Sequence, residues 1–192
     1  MLREKLKNHR VILASGSPRR HQFFKDLDIA FTIQIKEVQE IYPTSLKGLA
    51  ITDYLADLKS KSFTKLEEDD ILITSDTIVW HEGKALGKPK DKNDAFKMLK
   101  ALSGKKHEVM TSISIKSNHF QKIINDVTVV YFKEISDEEI NFYIENYKPF
   151  DKAGAYGIQE WIGFIAIEKI EGSFFNVVGL PVHKLYDALM HI

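Results

Sequence analysis

The 192-residue chain carries 27 basic and 27 acidic side chains, seven histidines and no cysteine, and 44% of its residues are hydrophobic. That length predicts a single domain over residues 1–192 rather than a tandem array, and the apolar share is ample for a core. A formal charge of zero speaks against a protein that coats nucleic acid, and the absence of cysteine removes disulfides, Cys-ligated zinc, iron–sulfur clusters and thiol catalysis. Apolar runs such as Ile71-Leu72-Ile73 and Phe164-Ile165-Ala166-Ile167 fall far short of the ~18 residues of a membrane span. Val11 to Ala14 is too short for a signal-peptide core, so the expectation is a cytoplasmic protein with no nucleic-acid and no membrane partner.

Strand and helix signals alternate along the chain. Val11 to Ala14 reads as a buried strand, and Ser17-Pro18 supplies an N-cap and an N1 proline for a helix reaching about Leu27. Phe31 to Ile35 alternates as a strand, and Ile51, Tyr54, Leu55 and Leu58 follow helical spacing within a helix over roughly Leu49 to Leu66. Ile71 to Trp80 is rich in β-formers, and Glu82-Gly83 turns it back into Lys84 to Leu86. A helix starts at Asp91 and stops before Gly104. Strands at Glu108 to Ile115 and Gln121 to Phe132 follow, joined at Ser117-Asn118; Val109, Thr111, Ile113 and Ile115 share one face, Ser112 and Ser114 the other. Ser136 and Glu139 form a capping box for a helix lined by Ile140, Tyr143, Ile144 and Tyr147. A strand near Phe164 to Ile170 and a final helix from Pro181 complete the series. Tight hairpins among helix-flanked strands indicate a mixed α/β sheet.

Several familiar sites are absent. Gly83-Lys84-Ala85-Leu86-Gly87-Lys88-Pro89 has the wrong spacing for a P-loop, and there is no GxGxxG, GxSxG or HExxH motif. The sharpest local feature is Leu13-Ala14-Ser15-Gly16-Ser17-Pro18-Arg19-Arg20, a buried strand running into a small-residue turn and then a helix whose first turn holds two of the chain's four arginines. A helix N-terminus is already positive, so guanidiniums there call for an anion, and a polyphosphate suits them; a solvated helix start with incidental arginines is the alternative. Asp76 in Ser75-Asp76-Thr77 interrupts apolar β-formers. A carboxylate inside a sheet must be paired, hydrogen-bonded or metal-bound, unless it merely ends the strand. Glu37, Glu40, Lys59, Lys88 and Lys152 stand near turns. Singly each reads as a surface charge. Together they fit a scheme in which cations grip phosphates while carboxylates hold Mg²⁺ or Mn²⁺ and aim a water.

Taken in order, these pieces resemble the Maf family, also called septum formation inhibitor proteins, which are nucleoside triphosphate pyrophosphatases. The matching blocks begin with Leu13 to Arg20 and continue through Val38-Gln39-Glu40, Leu55-Ala56-Asp57-Leu58-Lys59, Ser75-Asp76-Thr77-Ile78-Val79 and Leu86-Gly87-Lys88-Pro89. Leu102 to His107, Asp151 to Gln159 and Val177 to Pro181 follow, so the likeness runs from about residue 11 to 185. The resemblance implies one Maf-like domain with an elongated mixed sheet flanked by helices and two lobes around a deep cleft, similar to the inosine triphosphate pyrophosphatases. It implies cleavage between the α- and β-phosphates, with Asp76 as proton acceptor and metal ligand and Glu40 as a second metal ligand. Ser15, Arg19, Arg20, Lys59 and Lys88 would bind the triphosphate, and a homodimer is expected.

Within the family, one branch acts on dTTP and UTP and another on 7-methyl-GTP. The pyrimidine branch shows Ser-Pro-Arg-Arg, then Asp-Thr, then Gly-Ile-Gln, and this chain has Arg19, Thr77 and Gln159 at those places. dTTP and UTP, with modified pyrimidine nucleotides as further candidates, are therefore the expected substrates. An amide such as Gln159 matches a uracil-like edge, which accepts at O4 and donates at N3. Departures are Ser75 and Ser60 where alanine is usual, Phe23-Phe24 for a leucine pair, and Gln39 for an acidic residue. The other reading of the same resemblance is a nucleotide-sensing regulator of cell division without turnover.

Overall fold

The computed structural model describes residues 1–192. In chain order the elements are α1 (Leu2–Lys5), β1 (Arg10–Leu13), α2 (Pro18–Asp26), β2 (Phe31–Ile33), α3 (Leu49–Lys61), β3 (Asp70–His81), β4 (Lys84–Leu86) and α4 (Lys92–Leu102). Then come β5 (Lys106–Lys116), β6 (Gln121–Phe132), α5 (Asp137–Tyr147), α6 (Trp161–Ala166), β7 (Ile167–Glu171), α7 (Phe174–Val178) and α8 (Val182–Met190). The strands form one sheet in the order β2-β1-β3-β5-β6-β7, with β4 paired to β3. It is mixed: β1 runs parallel to both β2 and β3, whereas β3–β4 and β6–β7 are antiparallel.

The chain divides into two compact units made of discontinuous segments. The first holds residues 1–76, 111–126 and 179–192, the second 77–110 and 127–178. In the first unit the sheet alternation sorts chemistry by face. Val11, Leu13, Ile71, Ile73, Ile113 and Ile115 join Phe24 of α2 and Leu185 and Leu189 of α8 in an apolar core. The other face of β3 carries Leu72, packed with Ile12 and Phe63, and then Thr74 and Asp76. In the second unit Ala95, Leu99 and Leu102 of α4 and Ile140, Tyr143 and Ile144 of α5 pack with Val130 and Phe132 of β6.

Local signals account for most boundaries. Asp91 caps α4 by accepting from the Asp94 N–H, and the Ser136/Glu139 capping box is fully formed at α5. α3 is shorter than its apolar spacing indicates, ending at Lys61, where the Ser62 hydroxyl donates to the Lys59 carbonyl and competes with a further helical turn. The strand expected near Phe164 is instead α6 followed by β7. Ile162 and Ala166, four residues apart, are buried at 1% and 0%, while Phe164 between them is 78% exposed, a pattern that a helical turn satisfies and a strand of this length does not. α1 and α7, of four and five residues, are too short to leave a periodic signal.

The second unit also buries a histidine. His107 Nε2 lies 2.7 Å from the Tyr156 hydroxyl, among Phe132 and Tyr156 rings, and burial lowers its pKa to about 3. In the unfolded chain the same imidazole titrates near ~6.5. Its contribution is therefore fully present above that pH and is lost as pH falls from about 6.5 towards 3, where the unfolded state takes up a proton the fold refuses. His107→Gln keeps a partner for Tyr156 and removes this titration. Urea unfolding between pH 7 and 4 will show a shallower loss of stability for the variant than for the wild type, the difference approaching ~1.4 kcal/mol per pH unit.

Candidate active site

The first unit brings together most of the charged residues that the sequence singles out. After β1 the chain turns through Ser15, 7% exposed, whose Oγ accepts from the Ser17 N–H at 3.2 Å. His21 Nε2 lies 2.6 Å from the Ser15 carbonyl, which places the ring proton on that nitrogen and pins the turn to α2. Ser17 stands at the N-cap of α2 with Pro18 at N1, as the sequence predicts, although its side chain makes no capping bond. Arg20 lies behind this turn. Its Nε donates to the Gly179 carbonyl at 2.9 Å and its Nη1 to the Ser75 carbonyl at 3.0 Å, with Ser15 Oγ at 3.4 Å. One guanidinium thus ties the Ser15 turn, the residue preceding Asp76 and the entry to α8. Burial lowers its pKa to about 10, so it stays charged at neutral pH.

Asp76 is the centre of the cluster. Its side chain is 9% exposed, and Lys59 of α3 donates to Oδ1 at 2.6 Å. The same ammonium lies 2.9 Å from Glu40 Oε1, so one cation bridges two carboxylates. The backbone explains the meeting. Thr74 and Asp76 share a face of β3, and the Thr74 hydroxyl donates to the Ala56 carbonyl at 2.6 Å. Lys59 follows Ala56 by three residues, ~4.5 Å along α3, while Asp76 follows Thr74 by two, ~6.6 Å along β3. Burial pushes the Asp76 carboxyl up from its usual range; Lys59 opposes that shift, Glu40 adds to it and Arg20 reduces it. Arg19, Arg20 and Lys59 against Glu40 and Asp76 leave the cluster one positive charge in excess, favourable for a polyanion.

α3 itself is held by a polar seam. Thr52 and Ser112 hydroxyls are 2.7 Å apart, Ser112 donates to Asp53 at 2.6 Å, and Asn125 donates to both Asp53 oxygens. Gln121 reaches Asp57, Ser60 and Ser114. The two serines that replace alanine differ sharply. Ser60 Oγ donates to the Asp57 carbonyl and accepts from Gln121, whereas Ser75 Oγ, on the Ile71 and Ile73 face, is buried without a partner.

Glu37 is exposed and lies in the first unit; the remaining sequence candidates belong to the second. Thr77 opens it directly after Asp76; Lys88 and Gln159 are exposed, the first after β4 and the second just before α6. Lys152, singled out only as one of several lysines near turns, is 8% exposed and paired with Asp151 at 2.8 Å and Glu160 at 3.0 Å. Tyr143, placed by periodicity on an apolar helix face, also gives its hydroxyl to Glu160.

The side-chain donors available to a divalent cation are few. No group of three or more His, Asp or Glu side chains converges into an all-protein cage. Glu40 and Asp76, both within 2.9 Å of one ammonium, form an oxygen pair that suits a hard cation bound through one or two carboxylates, with water and phosphate as its other ligands. The residues fit Mg²⁺ or Mn²⁺ better than zinc, which favours nitrogen and sulfur.

Fold and site together define an α/β protein with a buried carboxylate and clustered cations. Solved structures with the same fold include the HAM1 protein from Coxiella burnetii (16% identity, TM-score 0.51, covering 96% of this chain and 100% of that one) and the Ham1 protein of Staphylococcus aureus (17%, 0.52, 93% and 99%). The Maf-like protein family model matches residues 10–192, and the chain belongs to that family. Relatives carrying the name dTTP/UTP pyrophosphatase include those of Flavobacterium johnsoniae, 60% identical over 98% of both chains, and Christiangramia forsetii, 58% identical over 98% of this chain and 97% of the other. One from Bacteroides fragilis is 44% identical over 97% and 98%. No helix is long and apolar enough to cross a membrane.

Because the Ser75 hydroxyl is desolvated without a partner, Ser75→Ala will raise stability by about 1 kcal/mol, read as a higher urea midpoint at unchanged slope. A lower midpoint would show that the hydroxyl is satisfied after all.

Proposed function

We propose that this protein hydrolyses dTTP and UTP to the nucleoside monophosphate and pyrophosphate, with modified pyrimidine triphosphates as further substrates. The observation that carries the reading is the buried Asp76 carboxylate, held by the Lys59 ammonium beside Glu40, next to the Ser15–Arg20 turn. The relatives' name, dTTP/UTP pyrophosphatase, supports the same substrates.

In this reading water attacks phosphorus, the bond to the bridging oxygen of the departing pyrophosphate breaks, and Asp76 accepts the proton that the water loses. A carboxyl raised by burial is a better proton acceptor than a solvated one, and the Lys59 charge opposes that rise. Ser15, Arg19, Arg20 and Lys59 bind the triphosphate. Arg20, with Nε and Nη1 on backbone carbonyls, contributes its charge and shapes the turn. These preplaced cations stabilise the charge that accumulates on the leaving group. A divalent cation, Mg²⁺ or Mn²⁺, held by Glu40 and Asp76 would neutralise the phosphates when bound. Thr77, Lys88 and Gln159 are assigned to substrate on the strength of the resemblance, with Gln159 reading the pyrimidine edge. The enzyme works as a cytoplasmic homodimer.

A panel of dTTP, UTP, dCTP, dATP, dGTP and 7-methyl-GTP tests this directly. Pyrophosphate and monophosphate will appear fastest from dTTP and UTP, chelation will stop turnover, and added Mg²⁺ or Mn²⁺ will restore it. Asp76→Asn will lower kcat by roughly 10²–10⁴-fold. Near-full activity in that variant, or nucleotide binding without turnover in the wild type, would contradict the assignment.

A further inference from the structure

The second unit contains a buried polar relay for which the hydrolysis reaction has no direct use. Tyr143 of α5 is fully buried; its hydroxyl donates to Glu160 Oε2 and accepts from the Gly157 N–H at 3.0 Å. Lys152, with its side chain 9% exposed, contacts the other oxygen, Glu160 Oε1, at 3.0 Å, and Asp151 at 2.8 Å. The two ends of the segment Gly157-Ile158-Gln159-Glu160 therefore meet on one hydroxyl. The Glu160 N–H closes the turn onto the Gly157 carbonyl at 3.0 Å. Inside the loop Ile158 is buried in the core and Gln159 alone is exposed.

The packing leaves no slack. A Cβ on Gly157 would stand 2.9 Å from Glu160 Cδ and 3.1 Å from Lys152 Cε, and one on Gly163 would overlap the Ile158 carbonyl at 1.8 Å. The short run Gly157–Gly163 is thus clamped on one side by the ion pair and on the other by α6. Burial and the Glu160 bond both push the Tyr143 hydroxyl upward in pKa, so it remains a donor throughout the working range. A buried ion pair contributes little net stability compared with apolar packing, but it does impose one geometry.

We infer that Tyr143, Lys152 and Glu160 are positioning residues that hold the Gln159 turn in one conformation for reading the nucleobase. This rests on the reading of Gln159 as the base-recognising amide. A recognition side chain presented from a preordered turn loses less freedom on binding, so loosening the turn raises KM more than it lowers kcat.

The test is a coupling experiment with dTTP as the probe. Tyr143→Phe keeps the buried ring and removes only the hydroxyl. It will raise KM for dTTP by roughly tenfold, with a smaller fall in kcat, and will narrow the preference for dTTP over purine triphosphates. In a Gln159→Ala background the same substitution will add nothing further, because its effect passes through Gln159. Glu160→Gln, which still accepts from Tyr143 but loses the charge that holds Lys152, will behave alike and serves if Tyr143→Phe fails to fold. A fall in thermal stability with unchanged KM, or an equal KM effect in both backgrounds, would overturn the proposal. Should Gln159→Ala alone leave KM and base preference intact, the base-reading role itself fails, an outcome distinct from the first two.

Discussion

A carboxylate at position 76 can be desolvated only because an ammonium reaches it. The charged cluster around it follows from that requirement. Lys59 must arrive from a helix at the right height above β3, which the Thr74–Ala56 bond secures. Glu40, nearly half exposed, shares the same ammonium and so brings a second carboxylate to the spot. Removing one member of a buried pair leaves an uncompensated charge, a loss of the order of 3–5 kcal/mol, so cation and anion stand or fall together.

The seam between α3 and the sheet follows the same logic. Thr52, Ser60, Ser112 and Ser114 are all fully buried, where an ordinary helix–sheet contact would use aliphatic side chains. Hydroxyl-to-carboxylate and amide-to-carboxylate bonds have one satisfying register, whereas apolar packing tolerates small slides. A slide of one residue along α3 moves a side chain by ~1.5 Å, enough to break a 2.6 Å contact to Asp76. Placement of Lys59 is thereby fixed by groups outside the charged cluster. Arg20 does the equivalent for the Ser15 turn, spending two of its donors on the Gly179 and Ser75 carbonyls.

Much of this was legible in the residues. Caps at Asp91 and Ser136 and the alternation from Val109 to Ile115 act within a few positions, and each appears in the fold as read. The anomaly of Asp76 among β-formers and the arginines after β1 stood out because they offend local rules, and the structure brings Asp76, Arg20 and Ser15 into one neighbourhood. Less could be read where partners lie far apart in sequence. That Arg20 would serve two carbonyls, one of them at position 179, has no local signal. Tyr143 reads as an apolar helix residue because its ring is one, and only the fold shows where its hydroxyl goes. The run Trp161 to Ala166 is short and apolar, compatible with either period, and its burial against Ile158 decides for a helix.

The proposed function carries one requirement: Lys59 and Asp76 act as a single unit in turnover. It is tested most directly by a double-mutant cycle on pyrophosphate release from dTTP, comparing Lys59→Met, Asp76→Asn and the pair. If the two groups share one task, the double variant will be no slower than the worse single variant, as interlocked catalytic residues behave. Losses that simply multiply would show two independent contributions and contradict the account.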